Sequence, residues 1–299
     1  MPHRVSVQSD AYSTLFMPSR IDTIPTTCIK VVAVPRRSGE GGLPATTLVM
    51  DEITGSLDAV VNARSLTALR TAAASALATR ICLGNSAAPT RLVMFGAGAQ
   101  ILAHAAILIA IYPSIRHCTV VNRSYNSRLV TLLDHLRLQL PGVEFVGIAW
   151  DLATHGPSAH SVEKAIRSAS IICTATPSTK PLFPAEWVNP GTHLNLVGSY
   201  TPQMHEISTA LVNNAKVIIL DSYEACKKEA GELITAKGSL DKALELGELE
   251  PNSDVIGDAQ EKPITIFKSV GVSVMDAAIA HLIVFKAREM GRGVVVPYD

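Results

Sequence analysis

Between residues 91 and 113 the chain runs almost without charge, as RLVMFGAGAQILAHAAILIAIYP, and the period of its apolar positions changes partway along. RLVMF reads as a short buried strand, whereas ILAHAAILIAIY carries apolar residues nearly all round a helix, the pattern of a helix enclosed in a large fold. The stretch has about the length of a bilayer span. Gly96, Gly98, Gln100 and His104 interrupt it, and the two periods predict strand, turn and buried helix in place of a membrane crossing.

The alternation continues downstream. CTVVNRS (118–124) predicts a strand and SRLVTLLDHLRLQL (127–140) a helix that stops at Pro141 and Gly142. VEFVGIAW (143–150), SVEKAIRSAS (161–170) and IICTATP (171–177) predict strand, helix and strand, and THLNLVGS (192–199) and AKVIILDS (215–222) add two buried strands. A parallel, doubly wound α/β sheet satisfies this order.

The first ninety residues differ. TTCIKVVAVP (26–35) reads as a strand, TTLVMDEITGSLDAVV (46–61) as a hairpin turned at EITGS, and SLTALRTAAASALATRICLG (65–84) as an Ala-rich helix ending at Gly84. RRSGEGGLPA (36–45) has the composition of a mobile surface loop. Near the end, KPITIFKSVGVSVMDAAIAHLIVFKAREMG predicts one strand and a long helix from about Val272.

Composition narrows the partners. Of 299 residues 47% are hydrophobic, 17% charged and 5% aromatic, which suits an extensive α/β core. Twenty-six basic and twenty-six acidic residues cancel, so no global field draws nucleic acid or a membrane surface, and a small-molecule partner is expected. Cys28, Cys82, Cys118, Cys173 and Cys226 form no C-x-x-C pair; they read as reduced core residues, with no disulfide framework and no metal site implied. MPHRVSVQSD has neither an apolar signal core nor an Arg-rich amphipathic stretch, so the expected location is cytoplasmic.

Gly96, Ala97, Gly98, Ala99 and Gln100 make the sharp strand-to-helix turn on which a pyrophosphate can approach the backbone at a helix N-terminus. Ile101 occupies the third glycine position of G-x-G-x-x-G, and from these residues alone a purely structural βα turn fits equally well. The surrounding strand–helix alternation favours the nucleotide. At the end of the second strand Asn122, Arg123 and Ser124 offer donors and a guanidinium where NAD-binding versions place an acid, so NADP(H) is expected in preference to NAD(H). The alternative is that Arg123 is a solvated loop residue.

CIKVVAVP, GGLPATTLVMDEITGSLDAVVNARSLTALRTAAASALATR, MFGAGAQ, VVNRS, NLVGSYTPQMHEI and FKSVGVSVMDAAIA, in this order and over almost the whole chain, resemble the ornithine cyclodeaminase/mu-crystallin family. The resemblance implies hydride transfer at a carbon bearing nitrogen and a carboxylate. It also implies a Rossmann dinucleotide-binding domain and an α+β substrate and dimerisation domain built from the N-terminal part and the C-terminal helix. The corresponding segments are 1–84 for the substrate part, 85–268 for the Rossmann domain and 269–299 for the return to the substrate domain. Further cofactor contacts are implied for Thr71, for Thr174, Ala175 and Thr176 near the ribose, and for Ser269, Val270 and Gly271 near the nicotinamide.

An imino or amino acid needs cations for its carboxylate and a proton donor near its nitrogen. Arg4, Lys30 and Arg70 are the candidates, and the resemblance places Arg4 and Arg70 on the family's carboxylate-binding arginines and Lys30 on its active-site lysine. Periodicity alone reads them as an N-terminal arginine, an edge-strand lysine and a solvated helix arginine.

Two departures narrow the chemistry. Where the cyclodeaminases carry an acid before their Pro and Glu this chain has Tyr200, and where they place a glutamate ahead of LMP it has Leu15. The expectation is therefore an NAD(P)H-dependent reductase of cyclic ketimines such as pyrroline-2-carboxylate. The alternatives are an ornithine cyclodeaminase or alanine dehydrogenase-like enzyme, disfavoured by Tyr200 and Leu15, and a non-catalytic NADPH-binding crystallin-like protein, disfavoured by Arg4, Lys30 and Arg70. Family members usually carry some tens of residues ahead of the PHR segment. A shortened N-terminal part is therefore expected here, and a homodimer where that part permits one.

Overall fold

A strand buried on both faces needs apolar residues at successive positions, and a strand with one open face needs them at every second position. Both patterns occur in this protein, and each builds its own sheet. The computed structural model describes residues 2–36, 43–151, 158–253, 255–256 and 262–297; residues 37–42 of the expected surface loop lie outside them.

The elements in chain order are β1 (Val5–Gln8), β2 (Tyr12–Ile21), β3 (Thr26–Pro35), β4 (Ala45–Met50), β5 (Leu57–Asn62), α1 (Leu66–Leu83), β6 (Arg91–Phe95), α2 (Ala99–Ile111), β7 (His117–Asn122), α3 (Ser127–Gln139) and β8 (Glu144–Ala149). They continue with α4 (Ala159–Arg167), β9 (Ile171–Thr174), β10 (His193–Leu196), α5 (Thr209–Asn214), β11 (Val217–Leu220), α6 (Tyr223–Glu229), α7 (Gly231–Thr235), β12 (Leu244–Glu245), β13 (Thr265–Lys268) and α8 (Ser273–Glu289).

The contacts divide the chain into one unit of residues 1–70 and 272–299 and a second of residues 71–271. The sequence reading places these boundaries at 84/85 and 268/269. The first differs because α1 runs unbroken through it: beyond Arg70, its Ala76, Ala78, Ile81 and Cys82 join hydrophobic clusters of the second unit.

In the first unit β1 to β5 form an antiparallel sheet in sequence order. Along β3 burial alternates, with Thr26, Cys28, Lys30 and Val32 enclosed and their neighbours partly open. Cys28 and Val49 pack with Ala277 and Ala280 of α8, which covers this face. Ser19 Oγ donates to the Ser273 carbonyl at 2.8 Å and Ser273 Oγ to the Pro18 carbonyl at 2.8 Å, fixing the start of α8 on β2. The pattern reading does not name β1 and β2, because β1 is exposed throughout and β2 mixes Ser, Thr and Pro into its apolar positions.

In the second unit eight parallel strands lie in the order β12-β11-β13-β10-β9-β6-β7-β8. The strand order reverses at β6, which is flanked by β7 and β9. Val93 and Phe95 face one hydrophobic cluster, Leu92 and Met94 another, so β6 is covered on both sides. The nearly charge-free stretch resolves into β6, a glycine turn and the thirteen-residue α2. Among the described residues no helix is long and apolar enough to cross a membrane.

Candidate active site

In the first unit the alternation along β3 turns Lys30 to the enclosed face. Lys30 is 1% exposed, and β3 lies inside the sheet between β2 and β4 with Lys30 opposite Met17 and Thr47. The edge-lysine reading fails for that reason. Arg70, on the buried side of α1 at 6% exposure, is likewise no solvated helix residue.

Both cations converge on Asp276, a residue the sequence reading passes over. Its Oδ2 lies 2.7 Å from Lys30 Nζ and its Oδ1 3.2 Å from Arg70 Nε, and its side chain is 2% exposed. Asp276 stands on the face of α8 formed by Ser273, Ala277 and Ala280, in the first turn, where the helix dipole favours an anion. The signal was legible: an acid inside a small-residue stripe that must be buried requires a buried cation. Burial, reinforced by the positive charge of Arg70, lowers the Lys30 pKa to about 8; Asp276 opposes this and Arg4 adds to it. Arg4, partly buried, therefore acts on the same lysine. The result is a compact group of three cations and one anion, with a lysine able to release a proton near neutrality.

In the second unit the expected nucleotide residues gather at one edge. Gly96 to Gln100 follow β6, Asn122 closes β7 with Arg123 and Ser124 after it, Thr174 closes β9, and Ser269 to Gly271 follow β13. All are carboxyl ends of parallel strands, and β6 and β9 flank the point where strand order reverses, the place at which open α/β sheets bind nucleotides. Thr71 is buried in α1.

The turn after β6 fits a dinucleotide. Gly96 has φ +120°, a conformation closed to other residues, and a Cβ there would stand 2.8 Å from the Ala175 carbonyl oxygen. Gly98 caps α2 with no side-chain hydrogen bond, and a Cβ on it would meet open space, so a phosphate can approach the helix N-terminus. Gln100 Oε1 is buried without a hydrogen-bond partner in the same turn. Behind it His104 Nδ1 donates to the Gln100 carbonyl at 2.7 Å, which leaves Nε2 to accept from Ser75 Oγ at 2.9 Å. Burial lowers the His104 pKa to about 4, so this histidine is neutral.

After β7, Asn122 Nδ2 donates to the Ser124 carbonyl at 2.8 Å, which fixes the turn and leaves Arg123 and Ser124 exposed. Two further residues outside the sequence reading shape this edge. Asp221 Oδ2 accepts from Ser269 Oγ and from the Gly271 N–H, each at 2.8 Å. Glu206 takes the hydroxyls of Thr174 and Thr176. Tyr200 packs against the hydrophobic cluster that includes Phe95 and Leu196.

The sequence profile of the Ornithine cyclodeaminase/mu-crystallin family matches residues 1–291. Ketimine reductase mu-crystallin of Macropus fuliginosus is 31% identical over 241 residues, which is 80% of this chain and 68% of that relative. Delta(1)-pyrroline-2-carboxylate reductase of Bacillus cereus is 28% identical over 289 residues, 94% of this chain and 83% of its own length. Among solved structures, Thermococcus litoralis Delta(1)-pyrroline-2-carboxylate reductase in complex with NADH and L-proline superposes with a TM-score of 0.85 at 25% identity, covering 99% of this chain and 89% of that one.

Proposed function

The chain belongs to the ornithine cyclodeaminase/mu-crystallin family, and from that premise we propose that it is an oxidoreductase that reduces cyclic ketimine carboxylates such as pyrroline-2-carboxylate with NAD(P)H. The observation that carries this reading is the enclosed Lys30, held at 2.7 Å from Asp276 with its pKa lowered to about 8. The names of the relatives, a ketimine reductase and a pyrroline-2-carboxylate reductase, point the same way.

When bound, the nicotinamide supplies the hydride. The residues of this chain supply the rest. Arg70 and Arg4 hold the substrate carboxylate, which aligns the C=N bond. On reduction of that bond the nitrogen would gain the electron pair of the C=N bond and would take its proton from Lys30 Nζ. Asp276 keeps the lysine and Arg70 in place and offsets their mutual repulsion.

The exposed Arg123 after β7, with Asn122 and Ser124 and no acid within VVNRS itself, supports NADP(H) over NAD(H). Ornithine cyclisation lacks its acids, since Tyr200 and Leu15 stand at their positions. A homodimer belongs to the same reading. β1 and β5 are edge strands, and Val5, Val7 and Val60 are 60%, 56% and 63% exposed, which supports burial against a second copy. Incubating the purified protein with NADPH or NADH and a panel of cyclic imino acids, while following nicotinamide absorbance, tests the activity. Oxidation of the cofactor with five- or six-membered ketimine carboxylates is the expected result, and no oxidation with any of them refutes it.

A further inference from the structure

Glu206 lies in the loop between β10 and α5 with no exposed surface, outside both the glycine turn and the cation group of the first unit. Its carboxylate takes four donors. Oε1 accepts from the Thr176 N–H at 2.7 Å and from Thr176 Oγ1 at 2.8 Å, and Oε2 from Thr174 Oγ1 at 2.8 Å and from the Gly198 N–H at 2.6 Å. Its own carbonyl accepts from the Leu182 N–H at 2.8 Å, which fixes the backbone from behind. Each oxygen takes one backbone N–H and one hydroxyl, an arrangement that favours the charged form.

A buried anion at an edge meant for a diphosphate needs compensation. The four donors supply part of it. Lys268, at the end of β13 and also without exposed surface, supplies more, and it pairs at 3.0 Å with the equally buried Glu232. Burial raises the Glu206 pKa, Lys268 lowers it and Glu232 raises it, so these groups act on one another. The donors come from the ends of β9 and β10, which are hydrogen-bonded neighbours in the sheet, and Lys268 comes from β13, the next strand. Glu206 thus ties together the turns that leave two adjacent strands, β9 and β10, while Lys268 on the third acts through its charge.

Resting on the reading of this edge as the cofactor site, we infer that Glu206 is a positioning residue for the nicotinamide dinucleotide, holding the Thr174–Thr176 turn and the turn at Gly198 in the shape that receives it. The hydroxyls of Thr174 and Thr176 are committed inward to Glu206. Those hydroxyls are therefore not available as proton donors to the cofactor at this strand end.

Direct titration with NADPH and with NADH, read by nicotinamide fluorescence, tests the inference on the unmodified protein, Glu206→Gln and Thr174→Val. Glutamine keeps the volume but sets an amide NH2 against one pair of donors, so one turn loses its anchor; cofactor Kd is expected to rise about tenfold or more. At saturating cofactor, kcat and the KM for the imino acid are expected to change less than about twofold, a split that a purely structural role does not produce. Thr174→Val removes a single donor and leaves three, so it is expected to fold and to weaken cofactor about threefold. Unchanged cofactor affinity in folded Glu206→Gln overturns the inference, as does unchanged affinity in Thr174→Val if the glutamine variant does not fold. Equal losses of cofactor and imino-acid affinity also overturn it. Failure of the unmodified protein to bind either nucleotide refutes the cofactor reading itself, and the role of Glu206 falls with it.

Discussion

Lys30 and Asp276 form a buried ion pair at 2.7 Å between the middle of a sheet and the first turn of the helix that covers it. Asp276 also meets Arg70 at 3.2 Å, so one carboxylate holds two enclosed cations. Removing one partner from a buried pair costs about 3–5 kcal/mol, because the remaining charge is left without compensation. Asp276→Asn is therefore expected to lower the thermal midpoint clearly, while Asp276→Glu, which keeps the charge, loses less. Melting curves of the two variants check this, and equal midpoints would remove the pair from the account.

Replacing Lys30 by Met keeps much of the volume and removes the proton donor. Turnover is expected to fall ~10²-fold or more with cofactor affinity nearly intact. Lys30→Arg restores charge without a group that titrates near neutrality, so it is expected to recover substrate affinity better than rate. If it recovers both, Lys30 serves only to hold the carboxylate.

The lowered pKa of Lys30 has two consequences with opposite signs. As a proton donor the lysine must be charged, so kcat/KM for reduction is expected to be level below about 8 and to fall at higher pH. Stability moves the other way. Between about 8 and the ordinary lysine value of 10.5 the unfolded chain binds more protons at this site than the folded one, so its contribution to stability rises with pH across that window. A pH–rate profile and denaturant melts over the same range separate the two, and Lys30→Met is expected to abolish both trends.

Arg123→Asp places an anion where a ribose 2′-phosphate would lie. Loss of a charge-assisted contact is expected to weaken NADPH about tenfold or more and to leave NADH within about threefold. Equal effects on the two nucleotides would remove the cofactor preference drawn from VNRS.

The two sheets were not equally legible. Strands with apolar residues at successive positions, such as RLVMF and VIIL, announce a parallel sheet buried on both faces, and the glycine turn after β6 announces its nucleotide edge. β1 gave no such signal because all four of its residues are exposed, and β2 interrupts its pattern with Pro18 and hydroxyl residues. The chemistry of an imino acid and the family resemblance point to Lys30 and Arg70, but only the structure pairs them with Asp276, whose contacts join the two ends of the chain. Asp221 and Glu206 stayed hidden for a similar reason. Each acts on a turn that a distant strand delivers, and no local periodicity records that meeting.

The most direct test of the central claim follows the hydride. With NADPH carrying deuterium at the transferable C4 position and pyrroline-2-carboxylate as substrate, the account expects proline that carries one deuterium at its α-carbon, formed in step with cofactor oxidation. Ornithine with the oxidised cofactor is expected to give little ammonia. Unlabelled proline, or robust conversion of ornithine to proline and ammonia without reduction of the ketimine, would contradict the account.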